Sequence, residues 1–188
     1  MLIRTIINIF NNRLVRKVFQ KMRVFIVLAF VLFILFYARR GAYYAAFCTT
    51  LAGEILQIWA AASLKKNKIL LPKGPYVLVR NPMYVGRFFV FLGLVILFGH
   101  IIPVIIYCIL YSFYVTTRVS REEIKLKAIF GNRYEEYIHR VNRFIPHFRN
   151  FSFSDLAYFN VSNLLANREL YNLLGIIIFF IIVHMKIF

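Results

Sequence analysis

Acidic side chains are scarce in this chain. Of 188 residues only 7 are Asp or Glu, against 24 Lys or Arg, for a formal net charge of +17. A carboxylate inside an apolar run is costly to bury, so each one there is expected to face a partner or a cavity. Cysteine is nearly absent. Cys48 and Cys108 stand alone in apolar runs without a neighbouring His or Cys, which argues against a zinc site or a disulfide framework and leaves two small hydrophobes. No metal is expected. Internal repeats and low-complexity tracts are missing. Met1 to Arg23 is basic and lacks a small-residue cleavage site, so no cleaved leader is expected.

Apolar residues are what the chain has in excess. They make up 61% of it, with a mean hydropathy of +0.70, against roughly 45–50% in soluble domains. The fold class expected is an all-α membrane protein, a single membrane domain over 1–188. About five transmembrane helices are expected, with a cytoplasmic-face cofactor pocket formed by loops and short helices. Residues 1–21 carry Arg4, Arg13, Arg16, Lys17 and Lys21 among apolar side chains and read as a basic interfacial lead-in. The spans run from Met22 to Ala38, from about Ala42 to Leu64, from Pro82 to about Phe98, from about Ile101 to Thr117, and from about Tyr171 to Phe188. Gly99-His100 makes the third and fourth a hairpin, with His100 as a tip residue.

The positive charges bracket these spans instead of forming one soluble face, so nucleic acid is not an expected partner. Arg4 to Arg23, Lys65 to Arg80 and Arg118 to Arg149 fall on one side, and Arg39 and Arg40 on the other. The positive-inside rule places the N-terminus and both large polar loops in the cytoplasm. The expectation is thus a multi-pass integral membrane protein.

Two polar segments carry the candidate chemistry. In Lys73 to Gly86, Gly74-Pro75 predicts a turn, and Asn81-Pro82 predicts a helix start with Asn as cap and Pro in the first position. A helix N-terminus with Arg80 beside it attracts a carboxylate or phosphate. In the second segment, Glu122-Glu123 opens a helix whose face is Ile124, Leu126, Ile129 and Phe130, and Gly131-Asn132 reads as its C-cap. Tyr134, Tyr137, Ile138 and Val141 share a face of a further short helix and read as packing residues. Within the second span, Glu54 and Gln57 lie on one helical face; they either line a polar pocket or make an interhelical hydrogen bond. Ser154 reads as an N-cap near a mixed stretch, and Asn160-Val161-Ser162 matches a sequon triplet.

A cationic sulfonium cofactor with an amino-acid head and an adenine needs an acid or aromatic faces near its positive groups, a donor-rich helix start or Arg for its carboxylate, and an apolar slot. Tyr76, Tyr84, Arg80, the Asn81-Pro82 helix start and Glu122 are of the right types.

The order Gly74-Pro75-Tyr76, then Arg80-Asn81-Pro82-Met83-Tyr84-Val85-Gly86, then Arg118, Glu122-Glu123 and Phe130-Gly131 with Tyr134 and Tyr137, resembles the isoprenylcysteine carboxyl methyltransferase family, which belongs with the phospholipid methyltransferases. The resemblance covers Ala52 to His147, so residues 52–147 are the expected methyltransferase core and 151–188 a C-terminal extension with a last span. It implies S-adenosyl-L-methionine as cofactor and a membrane lipid or lipidated molecule as partner. Carried over residue by residue, it implies that the cofactor lies against Lys68, Ile69, Leu70, Leu71, Tyr76, Asn81, Pro82, Met83, Tyr84 and Glu122, and that Arg118 faces the acceptor. Tyr84 and Arg118 are the expected catalytic pair. The family usually has His where this chain has Asn81, which cannot take a proton; this favours a carboxylate or thiol acceptor, as in isoprenylcysteine carboxyl methylation, over phospholipid N-methylation. Membrane reductases using NADPH carry a similar Arg-x-Pro-x-Tyr segment and are a rival reading, as is a non-catalytic membrane scaffold.

Overall fold

The computed structural model describes residues 28–64, 73–148, 152–167 and 169–188, together with Met22 and Phe25. The basic lead-in and Lys68, Ile69, Leu70 and Leu71 lie outside the described residues. Among the described residues the protein is helical without strands: α1 Leu28–Tyr37, α2 Tyr43–Ser63, α3 Pro82–Ile96, α4 Ile101–Phe130, α5 Asn132–Arg140, α6 Phe153–Leu156, α7 Val161–Asn167 and α8 Glu169–Ile187. The five expected spans each correspond to an apolar helix. Those containing α2, α4 and α8 are long and apolar enough to cross a membrane, while α1 and α3 are shorter.

The scaffold is the α2–α3 pair. Ala46, Thr50 and Gly53 on α2 face Gly86, Val90 and Gly93 on α3. A Cβ on Gly53 would lie 2.6 Å from the Gly86 carbonyl oxygen and the Val90 nitrogen. Small residues at this crossing let the backbones touch, which is how helices gain contact in lipid, where the hydrophobic effect does not pull them together.

Helix α4 is continuous over 30 residues, about 45 Å at 1.5 Å per residue, longer than a hydrocarbon core of about 30 Å. The separate membrane-exit helix expected after residue 117 is therefore the continuation of α4 to Phe130. Its first turns expose Ile101, Ile102, Ile105, Ile106 and Ile109, as a lipid-facing surface does. Gly131, with φ 53°, ends it, as its sequence predicts.

The C-terminal extension is built onto the end of α2. A helix leaves its last carbonyls unpaired, and here the extension supplies donors: Asn160 N–H and Asn163 Nδ2 to the Ala62 carbonyl, and Asn167 Nδ2 to those of Ala61 and Leu64. Asn160 also caps α7 through its side chain to the Asn163 amide. Ser154, expected as a cap, lies inside α6, where Ser152 holds the cap position. This attachment sets α8 beside α1 and α2, packing Phe180 and Val183 against Ile34, Tyr43 and Leu97.

Candidate active site

The Gly74–Val77 turn packs on the C-terminal end of α2. Gly74 has φ 60°, and a Cβ there would overlap the Ser63 side chain, so glycine is required both by conformation and by space. Two backbone bonds then tie the motif to the segment after α5: Arg80 N–H to the Asn142 carbonyl at 2.9 Å and His147 N–H to the Leu78 carbonyl at 2.9 Å. The Tyr137 hydroxyl donates to the Tyr76 carbonyl at 2.7 Å. Burial raises the Tyr134 phenol to about 12, and pushes Tyr137 and Tyr76 up also, so all three stay neutral at ordinary pH. Tyr134 and Tyr137 are packing residues, as expected.

Glu123 is the electrostatic anchor. It is buried, pairs with Arg143, and lies 3.6 Å from Arg80. The Arg80 side chain is nine-tenths buried, and its Nε and Nη1 have no hydrogen-bond partner. Helix α3 starts at Pro82 as the sequence predicts, but Asn81 does not cap it with its side chain. Its Nδ2 instead reaches the Arg143 carbonyl at 3.4 Å. The nearby return segment competes successfully for the amide.

Between the first turn of α3 and the outer part of α4 lies a cleft of about 500 Å³. Tyr76, Arg80, Asn81, Met83, Tyr84, Arg118 and Glu122 all line it. Pro82 does not; it is fully buried beneath the turn. The Tyr84 hydroxyl donates to Glu122 Oε1 at 2.8 Å, Arg118 Nε approaches that hydroxyl at 3.4 Å, and Arg118 Nη2 lies 3.2 Å from the same carboxylate. One helical turn separates Arg118 from Glu122, which lets both meet Tyr84. The Tyr111 hydroxyl donates to the Tyr84 carbonyl at 2.6 Å, and Val115 and Val119 pack on the ring. Tyr84 is thus held from both ends. Leu64, Leu126 and Ile129 supply apolar wall.

Three charged lining residues were not singled out from sequence: Arg87, Lys125 and Glu169. Arg87 was legible, since it is a lone charge in the third span. Glu169 was not, because only the folding-back of the extension brings it here. It is buried, with Asn172 Nδ2 donating to its Oε2 at 2.6 Å. Glu54 and Gln57 do line a cavity, a second one, and their hydrogen bond is within α2 and not between helices: Gln57 Nε2 to Glu54 Oε2 at 3.1 Å.

Comparison with known proteins finds similar sequences over this part of the chain. The family described as phospholipid methyltransferase matches residues 42–133, from the start of α2 to α5. The protein-S-isoprenylcysteine O-methyltransferase of Schizosaccharomyces pombe is 30% identical over 106 residues, 56% of this chain and 45% of that relative. The chain thus spans less than half the length of the curated relative it matches. No solved structure matches the chain. The motif residues gather on one cleft of a membrane helix bundle, and the α2–α3–α4 scaffold that builds it is the part of the chain similar to the phospholipid methyltransferase family and to the isoprenylcysteine O-methyltransferase.

Proposed function

We propose that the protein is an integral-membrane methyltransferase that uses S-adenosyl-L-methionine and acts on a lipid-embedded acceptor, a carboxylate or a thiol. The observation that carries this reading is the convergence of Tyr76, Arg80, Asn81, Met83, Tyr84, Arg118 and Glu122, from two distant segments, on one cleft. Its volume lies within the range of small-molecule sites, roughly 300–1,000 Å³.

The residues fit the cofactor's groups. The unpartnered Arg80 nitrogens and the start of α3 suit a carboxylate. Glu122 and the faces of Tyr76 and Tyr84 suit the positive groups, and Leu126 and Ile129 offer an apolar wall for adenine. When bound, S-adenosylmethionine supplies a methyl group on a positively charged sulfur: the acceptor's lone pair forms the new bond to that carbon as the carbon–sulfur bond breaks, leaving a neutral thioether. The protein's part is positioning and the exclusion of water. A carboxylate or thiolate acceptor attacks without losing a proton, whereas an ammonium must lose one first. Among the described residues lining the cleft there is no His, and Asn81 cannot serve as a base. Arg118 and Tyr84 orient the acceptor beside Glu122. The concentration of Lys and Arg on this end of the helices supports a cytoplasmic site, with the acceptor arriving from the bilayer.

The test separates the two roles. Arg118→Ala should lower methyl transfer from labelled cofactor into membrane lipid extracts by at least about tenfold while leaving S-adenosylhomocysteine affinity near that of the parent. Unchanged transfer would remove Arg118 from the acceptor site.

A further inference from the structure

Glu169 stands apart from the other residues of the cleft. It lies outside residues 42–133, the part matched to the family, and it reaches the cleft because the C-terminal extension folds back on the end of α2. It is the first residue of α8, so the positive end of that helix offsets part of its charge. An acid kept for that purpose alone belongs at the surface, in water. This one is 5% exposed and lines the cleft.

Its surroundings hold the carboxylate in place without neutralising it. Asn172, about one helical turn on, donates its amide to Oε2 at 2.6 Å and brings no charge. None of the ion pairs among the described residues includes Glu169. Arg118 is paired with Glu122, and Arg80 and Arg143 with Glu123. Arg87 also lines the cleft, but its contact is with the Tyr84 ring, 5.5 Å from the centroid. A buried carboxylate is costly unless a cation or several donors meet it. Burial is the main cause that raises the Tyr76 phenol; Arg87 opposes the rise, and Glu122 and Glu169 add to it, so these three charges act on one space. Glu54 is held in the same way by Gln57, but it lines a different cavity, an apolar chamber of about 440 Å³ between α1, α2, α3 and α8.

The amino-acid head of S-adenosylmethionine carries one carboxylate and one ammonium. The unpartnered Arg80 nitrogens and the start of α3 suit the carboxylate. An ammonium has three N–H donors and needs acceptors. Glu122 Oε1 already accepts from the Tyr84 hydroxyl and faces Arg118. Glu169 is the other acid on the cleft wall among the described residues. We propose that the Glu169 carboxylate binds the ammonium group of the cofactor, so that the C-terminal extension completes the cofactor site. This rests on the methyltransferase reading of the cleft and adds a binding residue to it.

The test uses the full chain in nanodiscs and two probes, S-adenosylhomocysteine and its desamino analogue, in which hydrogen replaces the ammonium and the carboxylate remains. Binding is read by calorimetry. The parent should prefer S-adenosylhomocysteine by at least about tenfold. Glu169→Gln should erase that preference by lowering S-adenosylhomocysteine affinity, with the affinity of the analogue kept within about twofold. Glu169→Asp, the milder change, should reduce the preference without erasing it. An acid that serves only the fold would weaken both probes equally when removed. An acid that only offsets Arg87 would let the preference return in the Arg87→Gln/Glu169→Gln double variant, whereas direct contact leaves it lost. Equal binding of the two probes by the parent would overturn the proposal and leave the methyltransferase reading standing. So would a preference that is unchanged in Glu169→Gln or Glu169→Asp, one that returns in the double variant, or a parallel loss of both probes in a folded Glu169→Gln. Binding of neither probe by a folded parent would sink the methyltransferase reading and the proposal with it.

Discussion

The cleft at the end of α3 and the chamber beneath it meet at Arg87, and they are made of different materials. The cleft is lined by Arg80, Arg118, Glu122, Lys125 and Glu169 around Tyr76 and Tyr84. The chamber is lined mostly by Phe, Ile, Val and Leu, with Glu54, Gln57 and Asn172 as its polar points. The cleft is held by directional bonds: Tyr84 to Glu122, Tyr111 to the Tyr84 backbone, Arg143 and Arg80 to Glu123. The chamber is held by the fit of small residues between α2 and α3 and by an extension stapled to the end of α2. Polar architecture ties specific residues to specific places, whereas apolar architecture fixes only shape. The two should therefore fail differently.

The largest effect should come from breaking what both share. In Gly86→Leu the new side chain has no room, since its Cβ would lie 2.6 Å from Gln57 Cγ and 2.8 Å from the Gly53 carbonyl. Overpacking at a backbone contact should cost about 3 kcal/mol or more and abolish S-adenosylhomocysteine binding. A monodisperse variant that binds it would show that the α2–α3 crossing is not the scaffold. Next comes a change aimed at the cleft. Glu123→Ala leaves Arg80 buried without its acid, with an expected loss of about 3 kcal/mol, visible in thermal unfolding in detergent. Cofactor-analogue affinity should fall with it. If thermal stability is untouched, Glu123 is not the anchor described. The smallest effect belongs to a single hydroxyl. Tyr84→Phe removes the donor to Glu122 and should weaken S-adenosylhomocysteine binding by about fivefold, on the order of 1 kcal/mol. Unchanged affinity would take the Tyr84 hydroxyl out of the cofactor site.

The cleft was largely legible in the sequence because its chemistry rests on residue types that are costly or conformationally special. Gly74-Pro75, Asn81-Pro82, Arg118 and Glu122 each carry a local physical reason to be noticed; Asn81, Arg118 and Glu122 meet on the cleft, and the Gly74-Pro75 turn and the α3 start at Pro82 frame it. What escaped depended on the chain returning. Asn81 looked like a helix cap, but the Arg143 carbonyl, 62 positions away, takes its amide. Asn160, Asn163 and Asn167 looked like polar residues of a mixed segment, and only the exposed carbonyls at the end of α2 explain them. The chamber could not be read at all, since Ile176 and Phe179 resemble every other apolar residue of α8 until their neighbours are known. Glu54 and Gln57 were recognisable as misfits in an apolar run, but which wall they faced depended on α8.

The central claim is that the cleft around Tyr84 and Glu122 is a cofactor site for S-adenosylmethionine. The most direct test is calorimetric titration of S-adenosylhomocysteine into the full chain in nanodiscs, with NADPH as the parallel ligand and Glu122→Gln as the control. Glu122 is only partly buried, so its loss should leave stability nearly unchanged. The account predicts micromolar S-adenosylhomocysteine binding, about −8 kcal/mol, weakened at least about tenfold in Glu122→Gln, and no NADPH binding. Binding of NADPH alone, or of neither ligand by a folded sample, would contradict it.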